Sequence, residues 1–172
     1  MYMNPQPQIS SEQLIHEQLL EEALLRPLQD LQHIAYKDLS RRDIRSLIFH
    51  LLYIVDAHEY TESLPAVVDN FSEGYNIEIP RHSEVFSVTN AILMAKETLD
   101  LIYIPLLANW NIDRISTCTK LIMRYGTWEL LYTNTDPKIV INEAIELTKC
   151  FAEDDAYRFV NGILDKISKT RS

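Results

Sequence analysis

Two consecutive stretches in the C-terminal third of the chain have apolar residues every three or four positions, a spacing that predicts two amphipathic α-helices. The acidic segment between them predicts an elbow, with Asp154 and Asp155 capping the second helix. Asn161-Gly162 would favour a hairpin turn elsewhere, but it lies inside the helical period, so we expect Gly162 to let a neighbouring backbone approach closely. The apolar positions are Ile139, Ile141, Ala144, Ile145 and Thr148, then Phe159, Val160, Ile163, Leu164 and Ile167.

The rest of the chain also favours helices. Only three glycines occur in 172 residues, fewer than folds rich in hairpins or phosphate-binding loops require. We therefore predict an all-α fold in two parts. Residues 1–39 form an acidic extension, with a disordered start and then an amphipathic helix, and residues 40–172 form a helical domain.

Capping residues and helix breakers predict where the helices lie. Ser40 and Asp43 have the spacing of a capping box at the start of a helix of about 18 residues. The other predicted helices are 11–26, a short one after Pro27 that includes Leu28, Leu31, Ile34 and Ala35, 62–71 ending at Glu73-Gly74, 81–101, and 114–132 capped by Asn111 or Asp113.

Sequence motifs argue against several classes of protein. The two cysteines lie inside helical patterns, and neither they nor the five histidines have metal-ligand spacing. This favours a reduced, cytoplasmic protein with no metal and no cofactor. The longest apolar run, residues 47–55, is too short to cross a membrane. No catalytic motif is apparent, so we expect no enzymatic activity.

The charge of the chain opposes nucleic-acid binding through a bulk positive field. The formal net charge is −9, of which residues 1–40 carry −4. Because affinity for the phosphate backbone comes from lysine and arginine displacing counterions, an RNA-binding role requires a local basic patch, a basic partner, or both.

Arg41, Arg42 and Arg45 form a candidate basic patch. Their spacing of three and four positions places them on neighbouring parts of one helix face. Two of them lie in the first helical turn, where a cation costs about 0.3 to 1 kcal/mol unless an anion shares the site. A phosphate would gain from both the free N–H groups and the guanidinium groups. The alternative is a solvated polar face, and Asp43 within the patch weakens its positive field.

Three segments resemble the NusB family of bacterial transcription antitermination factors: residues 138–166, residues 113–132 with their Arg…Tyr/Trp-Glu-Leu pattern, and residues 41–53, which begin with arginines and end in Leu-Tyr. The resemblance implies two small helical bundles packed together. It also implies binding to a small-subunit ribosomal protein that serves as NusE. That pair would bind the single-stranded boxA element of ribosomal RNA transcripts and help RNA polymerase, through the antitermination complex, to pass terminators.

The resemblance also implies which residues contact RNA. It supports the role of Arg41, Arg42 and Arg45, although the family often has a third arginine where Asp43 stands. Asp155, Arg158 and Phe159 match positions at or near the family's RNA surface, where an aromatic ring and an arginine serve stacking and phosphate contact. For Phe159 the alternative is a place in the core, and for Asp155 a cap.

Three further residues match the family's NusE interface. Tyr53 matches an interface position, although a tyrosine that ends an apolar helix face also fits half-buried packing. The family usually has an acid that contacts NusE immediately before the basic residue matching Lys120. Here Thr119 takes that position, so one charged contact with the partner is missing.

Asp43, Thr119 and the net charge leave other interpretations open. The chain could be a protein-interaction module with a NusB fold that has lost RNA binding, or a ribosome-maturation factor. The NusB-like domain of ribosomal RNA cytosine methyltransferases is a third possibility, in which a separate subunit would supply the enzyme. The acidic extension could cover the arginine helix and compete with RNA, add to the core, or mediate dimerisation.

Overall fold

The computed structural model describes residues 18, 22, 25–32, 34–107 and 115–170. This part of the chain contains α-helices and two short 3-10 helices and no strand, which confirms the predicted all-α fold. We number the helices from the predicted capping box onwards. They are α1 (Arg41–Ala57), α2 (Leu64–Tyr75), α3 (Glu84–Tyr103), α4 (Thr117–Tyr132), α5 (Pro137–Phe151) and α6 (Ala156–Lys169), with 3-10 helices at Tyr36–Asp38 and Ile104–Leu107.

Serine side chains set the start of four helices. The predicted capping box of α1 is confirmed, because the Ser40 hydroxyl accepts from the Asp43 N–H and the Asp43 carboxylate accepts from the Ser40 N–H at 2.8 Å. Ser63, Ser83 and Ser116 accept in the same way at the starts of α2, α3 and α4. Such caps satisfy N–H groups that a helix start otherwise leaves unpaired.

Several predicted helix ends are corrected. The helix α2 continues through Gly74 to Tyr75. The next residue, Asn76, caps it in the left-handed conformation with φ 53°, since asparagine tolerates that region and can replace glycine there. The helix α4 starts after Ser116, and Asn111 and Asp113 lie outside the described residues. Asp155 occupies the N-cap of α6 but its side chain makes no capping hydrogen bond.

The helices form two groups that share one core. The helix α1 packs against α2 and α3, and the pair α5 and α6 packs against α4. Because α4 also contacts α1 and α3, it lies between the groups. Its buried residues extend around most of its circumference, from Cys118 to Leu130. None of the described helices is long and apolar enough to span a membrane.

A close helix contact involves Gly126 rather than Gly162. A Cβ atom at Gly126 would lie 2.7 Å from Cδ1 of Leu164, so α4 and α6 touch where no side chain intervenes. A Cβ atom at Gly162 would have nothing within 4 Å. The expectation that Gly162 serves close approach is therefore wrong, because its side of α6 faces solvent.

The described part of the extension packs on the helical domain. Residues 25–31 are helical, and Leu28 and Leu31 belong to the shared core at 2% and 3% exposure. Ile34, which was predicted to continue this helix, lies beyond its end and is exposed. Most of the predicted helix 11–26 lies outside the described residues.

Candidate nucleic-acid interface

The three predicted arginines lie together at the start of α1, and we call them the arginine surface. Each has a carboxylate partner on a different helix. Arg41 pairs with Glu84 of α3 at 2.5 Å, Arg42 with Glu143 of α5 at 3.6 Å, and Arg45 with Glu129 of α4 at 2.9 Å. The sequence shows none of these pairs, because each joins residues far apart in the chain.

Arg45 differs from its two neighbours in burial. Its Nε and Nη2 atoms donate to the two oxygens of Glu129 at 3.2 and 2.9 Å, and the two side chains are only 12% and 11% exposed. Burial alone would lower the pKa of Arg45, but the hydrogen bonding and the negative charge of Glu129, with smaller contributions from Tyr125 and Glu143, together outweigh it and raise the pKa. Arg45 therefore stays charged and is held facing α4.

Arg41 and Arg42 are open to solvent, with side chains 74% and 66% exposed. Exposed ion pairs of this kind contribute about 0 to 1 kcal/mol, so an incoming phosphate can replace the carboxylate at small cost. Asp43, between them and Arg45, uses its carboxylate to cap the helix. The charge of Asp43 nevertheless remains within the arginine surface.

A second concave region lies at the α5–α6 elbow, and we call it the elbow cleft. It has a volume of about 580 Å³. It brings together Asp155, Arg158 and Phe159, three residues predicted for RNA, with Thr119, predicted for the partner. The other described residues that line it are Ile115, Glu153 and Ala156.

The RNA candidates at the elbow are partly pre-positioned. Phe159 is half-buried against the core while lining the cleft, so both of its predicted roles fit its position. The Arg158 Nε donates to the Tyr157 hydroxyl oxygen at 3.1 Å, which raises the pKa of Arg158. Asp155 lies 3.9 Å from Arg158 in an exposed ion pair. Arg158 thus presents its charge at the edge of the cleft.

Glu153 also lines the elbow cleft, a placement that the sequence did not reveal. Its carboxylate accepts from the hydroxyls of Ser116 and Thr119 at 2.9 and 3.0 Å. Burial alone would raise the pKa of Glu153, but hydrogen bonds from its own backbone and from these two residues lower it. A carboxylate is therefore held against Thr119, the residue that stands where the resemblance predicts an acid.

Tyr53 lies toward the elbow end of α1. Its ring centroid is 6.5 Å from that of Phe49, which stacks on Phe151 of α5 at 4.7 Å. Tyr53 lies eleven positions after Arg42, so the two residues are roughly 16 Å apart along the helix axis at the usual rise. Lys120, on the first turn of α4, is half-buried.

Within the described ranges, no group of His, Cys, Asp and Glu is arranged to hold a metal ion.

Comparison with known proteins identifies the family. The model of the NusB family matches residues 42–169. The transcription antitermination protein NusB of Campylobacter curvus is 36% identical over 128 residues, which cover 74% of this chain and 95% of that protein. The protein of the same name from Helicobacter hepaticus is 32% identical over 134 residues, covering 77% and 84%.

A solved structure agrees with these sequence matches. Thermotoga maritima NusB is 25% identical, with a TM-score of 0.67, over 76% of this chain and 92% of that one. The match to its helical fold agrees with the arrangement of α1 to α6. The chain therefore belongs to the NusB family.

Proposed function

We propose that the chain is an RNA-binding transcription antitermination factor that pairs with ribosomal protein NusE and, together with it, binds boxA RNA of ribosomal RNA transcripts. Membership of the NusB family supports the antitermination role, and the relatives above carry that name. The protein would act as an adaptor rather than an enzyme, joining the RNA polymerase antitermination complex indirectly. Because bacterial transcripts are made in the cytoplasm, the proposal places it there.

The observation that carries the RNA part is the elbow cleft, which gathers Asp155, Arg158 and Phe159 on one surface. A half-buried aromatic ring beside an exposed guanidinium suits an unpaired base and its phosphate. Arg41 and Arg42 supply a second phosphate contact by exchanging their carboxylate partners. Arg45, held by Glu129, would position the helix start rather than bind phosphate itself.

Glu153 supports the NusE part of the proposal. Held by Ser116 and Thr119, its carboxylate offers the acidic contact that Thr119 cannot provide. Tyr53 and Lys120 would complete this partner-binding region. A basic ribosomal protein suits a chain with a net charge of −9, and it would bring the positive charge that RNA binding needs.

The ion pairs of the arginine surface favour a second candidate, an interaction module that binds NusE but no longer RNA. Each arginine already has a carboxylate partner, so the surface has little net positive charge. In this version the pairing with NusE is retained and boxA RNA is not.

Mixing the protein with NusE and then adding boxA RNA, followed by size-exclusion chromatography, separates these candidates. Co-elution of all three components supports the proposal, and a stable pair that does not retain RNA favours the interaction module. Failure to pair with NusE contradicts both. Glu153→Gln is expected to weaken the pairing several-fold, whereas the matched change Asp154→Asn, at the neighbouring exposed position, leaves it unchanged.

A further inference from the structure

An exposed ion pair on α5 lies between the arginine surface and the elbow cleft and has no part in the contacts described above. The Nζ atom of Lys149 donates to a carboxylate oxygen of Glu146 at 3.0 Å. The two side chains are 52% and 44% exposed. Both are therefore accessible to a ligand that approaches this face of α5.

The arginine surface adjoins this pair on one side. Glu143, Glu146 and Lys149 follow one another at a spacing of three, so they lie on neighbouring parts of one helix face. Arg42 pairs with Glu143, and it lines one small cavity together with Glu143 and Glu146. The hydrogen bond and the charge of Lys149 lower the pKa of Glu146, and the charge of Arg42 adds to this effect. Arg42 and Lys149 thus act on the same carboxylate from two sides.

Tyr157 connects the pair to the elbow cleft on the other side. Its ring centroid lies 5.9 Å from Nζ of Lys149 and 5.7 Å from Cζ of Arg158, within the range of cation–π attraction. Its hydroxyl also accepts from Nε of Arg158 at 3.1 Å. One half-buried ring therefore contacts both cations, and Arg158 lines the elbow cleft.

Three exposed cations thus follow one another from the start of α1 to the start of α6. Each has a carboxylate as its ion-pair partner in the free protein, and such exposed pairs contribute little. A phosphate that replaces the carboxylate forms charge-assisted hydrogen bonds of the same kind. The three pairs are Arg42 with Glu143, Lys149 with Glu146, and Arg158 with Asp155.

We propose that the RNA strand passes from the arginine surface to the elbow cleft across α5, with Lys149 bound to one of its phosphates. Glu146 competes with that phosphate for Lys149, and Tyr157 keeps the lysine beside Arg158. The inference rests on the proposed function, because it requires RNA at both surfaces. It joins two separate RNA contacts into one path and adds Lys149 to the residues that bind the strand.

The test compares Lys149→Gln, which removes the charge and keeps a polar side chain, with Lys169→Gln as the matched control. Lys169 is also exposed and pairs with one acid of its own helix, Asp165. It lies twelve positions after Tyr157, roughly 18 Å farther along α6 at the usual rise. Thermal unfolding checks that both variants remain folded.

The affinity for boxA RNA is measured by fluorescence anisotropy at several salt concentrations, with NusE at a saturating concentration. Lys149→Gln should weaken binding roughly two- to tenfold, the net effect of one hydrogen bond. It should also reduce by about 0.7 the slope of log affinity against log salt concentration, the value for one phosphate contact on a single strand. Lys169→Gln should change neither the affinity nor the slope.

Glu146→Gln gives a prediction of the opposite sign. It should tighten RNA binding about two- to fivefold, because the phosphate no longer has to displace a carboxylate from an exposed ion pair. Asp165→Asn removes the acid paired with Lys169 in the same way and should leave the affinity unchanged.

The outcomes separate the two proposals. Equal RNA affinities of the wild type, Lys149→Gln and Glu146→Gln overturn this inference, while RNA binding by the wild type keeps the proposed function. Equal losses in Lys149→Gln and Lys169→Gln indicate a general effect of charge and overturn it as well. So does weaker pairing of Lys149→Gln with NusE at unchanged RNA affinity, which assigns the lysine to the protein partner. If the wild-type pair does not bind boxA RNA, the proposed function fails and this inference fails with it.

Discussion

At the scale of single residues, the arginines of α1 have different roles although the sequence presents them as equivalents. The little-exposed fork between Arg45 and Glu129 joins α1 to α4, whereas the pair between Arg42 and Glu143 is longer and more exposed. Spacing along a helix predicts which side chains share a face. It cannot predict which acid a distant helix will place opposite them.

Removing one partner of the fork should therefore be costly. Glu129→Ala is expected to lower the free energy of unfolding by about 3 kcal/mol, since it leaves the guanidinium of Arg45 poorly solvated and unpaired. The matched change Glu143→Ala should cost less than about 1 kcal/mol, as exposed pairs do. Urea denaturation of both variants measures the difference. Equal losses would show that the fork does not hold α1 against α4.

The two helical glycines allow a second matched comparison. Gly126→Ala should destabilise the protein by about 1 to 3 kcal/mol, because the added methyl group meets the fully buried Leu164. Gly162→Ala meets nothing and should stabilise α6 by about 0.5 to 1 kcal/mol through helix propensity. Thermal unfolding measures both the destabilisation by Gly126→Ala and the stabilisation by Gly162→Ala. Stabilisation by Gly126→Ala would contradict the close contact between α4 and α6.

These glycines also show where sequence reasoning fails. Both lie within helical patterns, and the Asn-Gly pair makes Gly162 the more conspicuous of the two in the sequence. The glycine that serves close approach is the one whose side of the helix faces another helix. That depends on how α4 and α6 are rotated about their axes in the fold, which local periodicity does not determine.

At the scale of helices, prediction succeeded where local chemistry decides and was less accurate elsewhere. The capping box of Ser40 and Asp43 needs only residues three positions apart, and α1 begins where it was predicted. The end of α2 is misplaced because Asn76 and not the Glu73-Gly74 pair terminates the helix, in the left-handed conformation. The start of α4 is misplaced because Ser116 caps that helix. The burial of Leu28 and Leu31 likewise depends on a distant surface.

The N-terminal segment provides the prediction at this scale. Leu31→Ala is expected to lower the free energy of unfolding by about 2 to 4 kcal/mol, because it leaves a cavity in the shared core. Ile34→Ala, at the exposed position three residues later, should change it by less than about 0.5 kcal/mol. Chemical denaturation compares the two. Equal, small effects would show that the segment adds nothing to the core.

Deleting residues 1–36 distinguishes packing from competition with RNA. The burial of Leu28 and Leu31 supports packing, so we expect lower stability and unchanged affinity for RNA. Tighter binding of boxA RNA by the truncated protein, measured at a temperature where it remains folded, would instead support an extension that covers the arginine surface.

At the scale of the whole molecule, buried and half-buried phenols and a buried thiol make the fold sensitive to alkaline pH. Burial raises the pKa of Tyr60 from 10.0 to about 12 and that of Cys118 from 9.0 to about 12. It also raises the pKa values of Tyr103 and Tyr125. In each case the group loses its proton at a lower pH in the unfolded state than in the folded state. The contribution of the group to the free energy of unfolding is therefore complete below the unfolded-state pKa and is lost as pH rises to the folded-state pKa.

We therefore expect the free energy of unfolding to fall from about pH 9, where the thiol of Cys118 begins to ionise in the unfolded state, to about pH 12. Tyr60→Phe should make this fall less steep, because a phenylalanine cannot ionise. Urea denaturation at a series of pH values measures both slopes, and the neutral range serves as the control. A flat profile up to pH 12 would contradict the burial of these groups.

The net charge shows how whole-molecule properties constrain function without determining it. A value of −9 argued against RNA binding, whereas the resemblance to NusB argued for it, and the family match supports the latter. Composition averages over the surface, but binding depends on a few exposed groups and on a partner's charge. The structure adds that two of the three arginines remain open to solvent.

The central claim is that the chain binds RNA through exposed cationic side chains at the elbow cleft and at the start of α1, and charge reversal at Arg42 tests it directly. The affinity of the NusE pair for boxA RNA is measured by fluorescence anisotropy over a range of salt concentrations. Arg81→Glu is the matched control, because Arg81 is also exposed and paired with one acid, Asp69. Arg42→Glu should weaken binding at least tenfold, which corresponds to a loss of about 1.4 kcal/mol of binding free energy. It should also reduce the salt dependence of the affinity. Arg81→Glu should change neither the affinity nor its salt dependence. Equal binding by the wild type and both variants would contradict the claim.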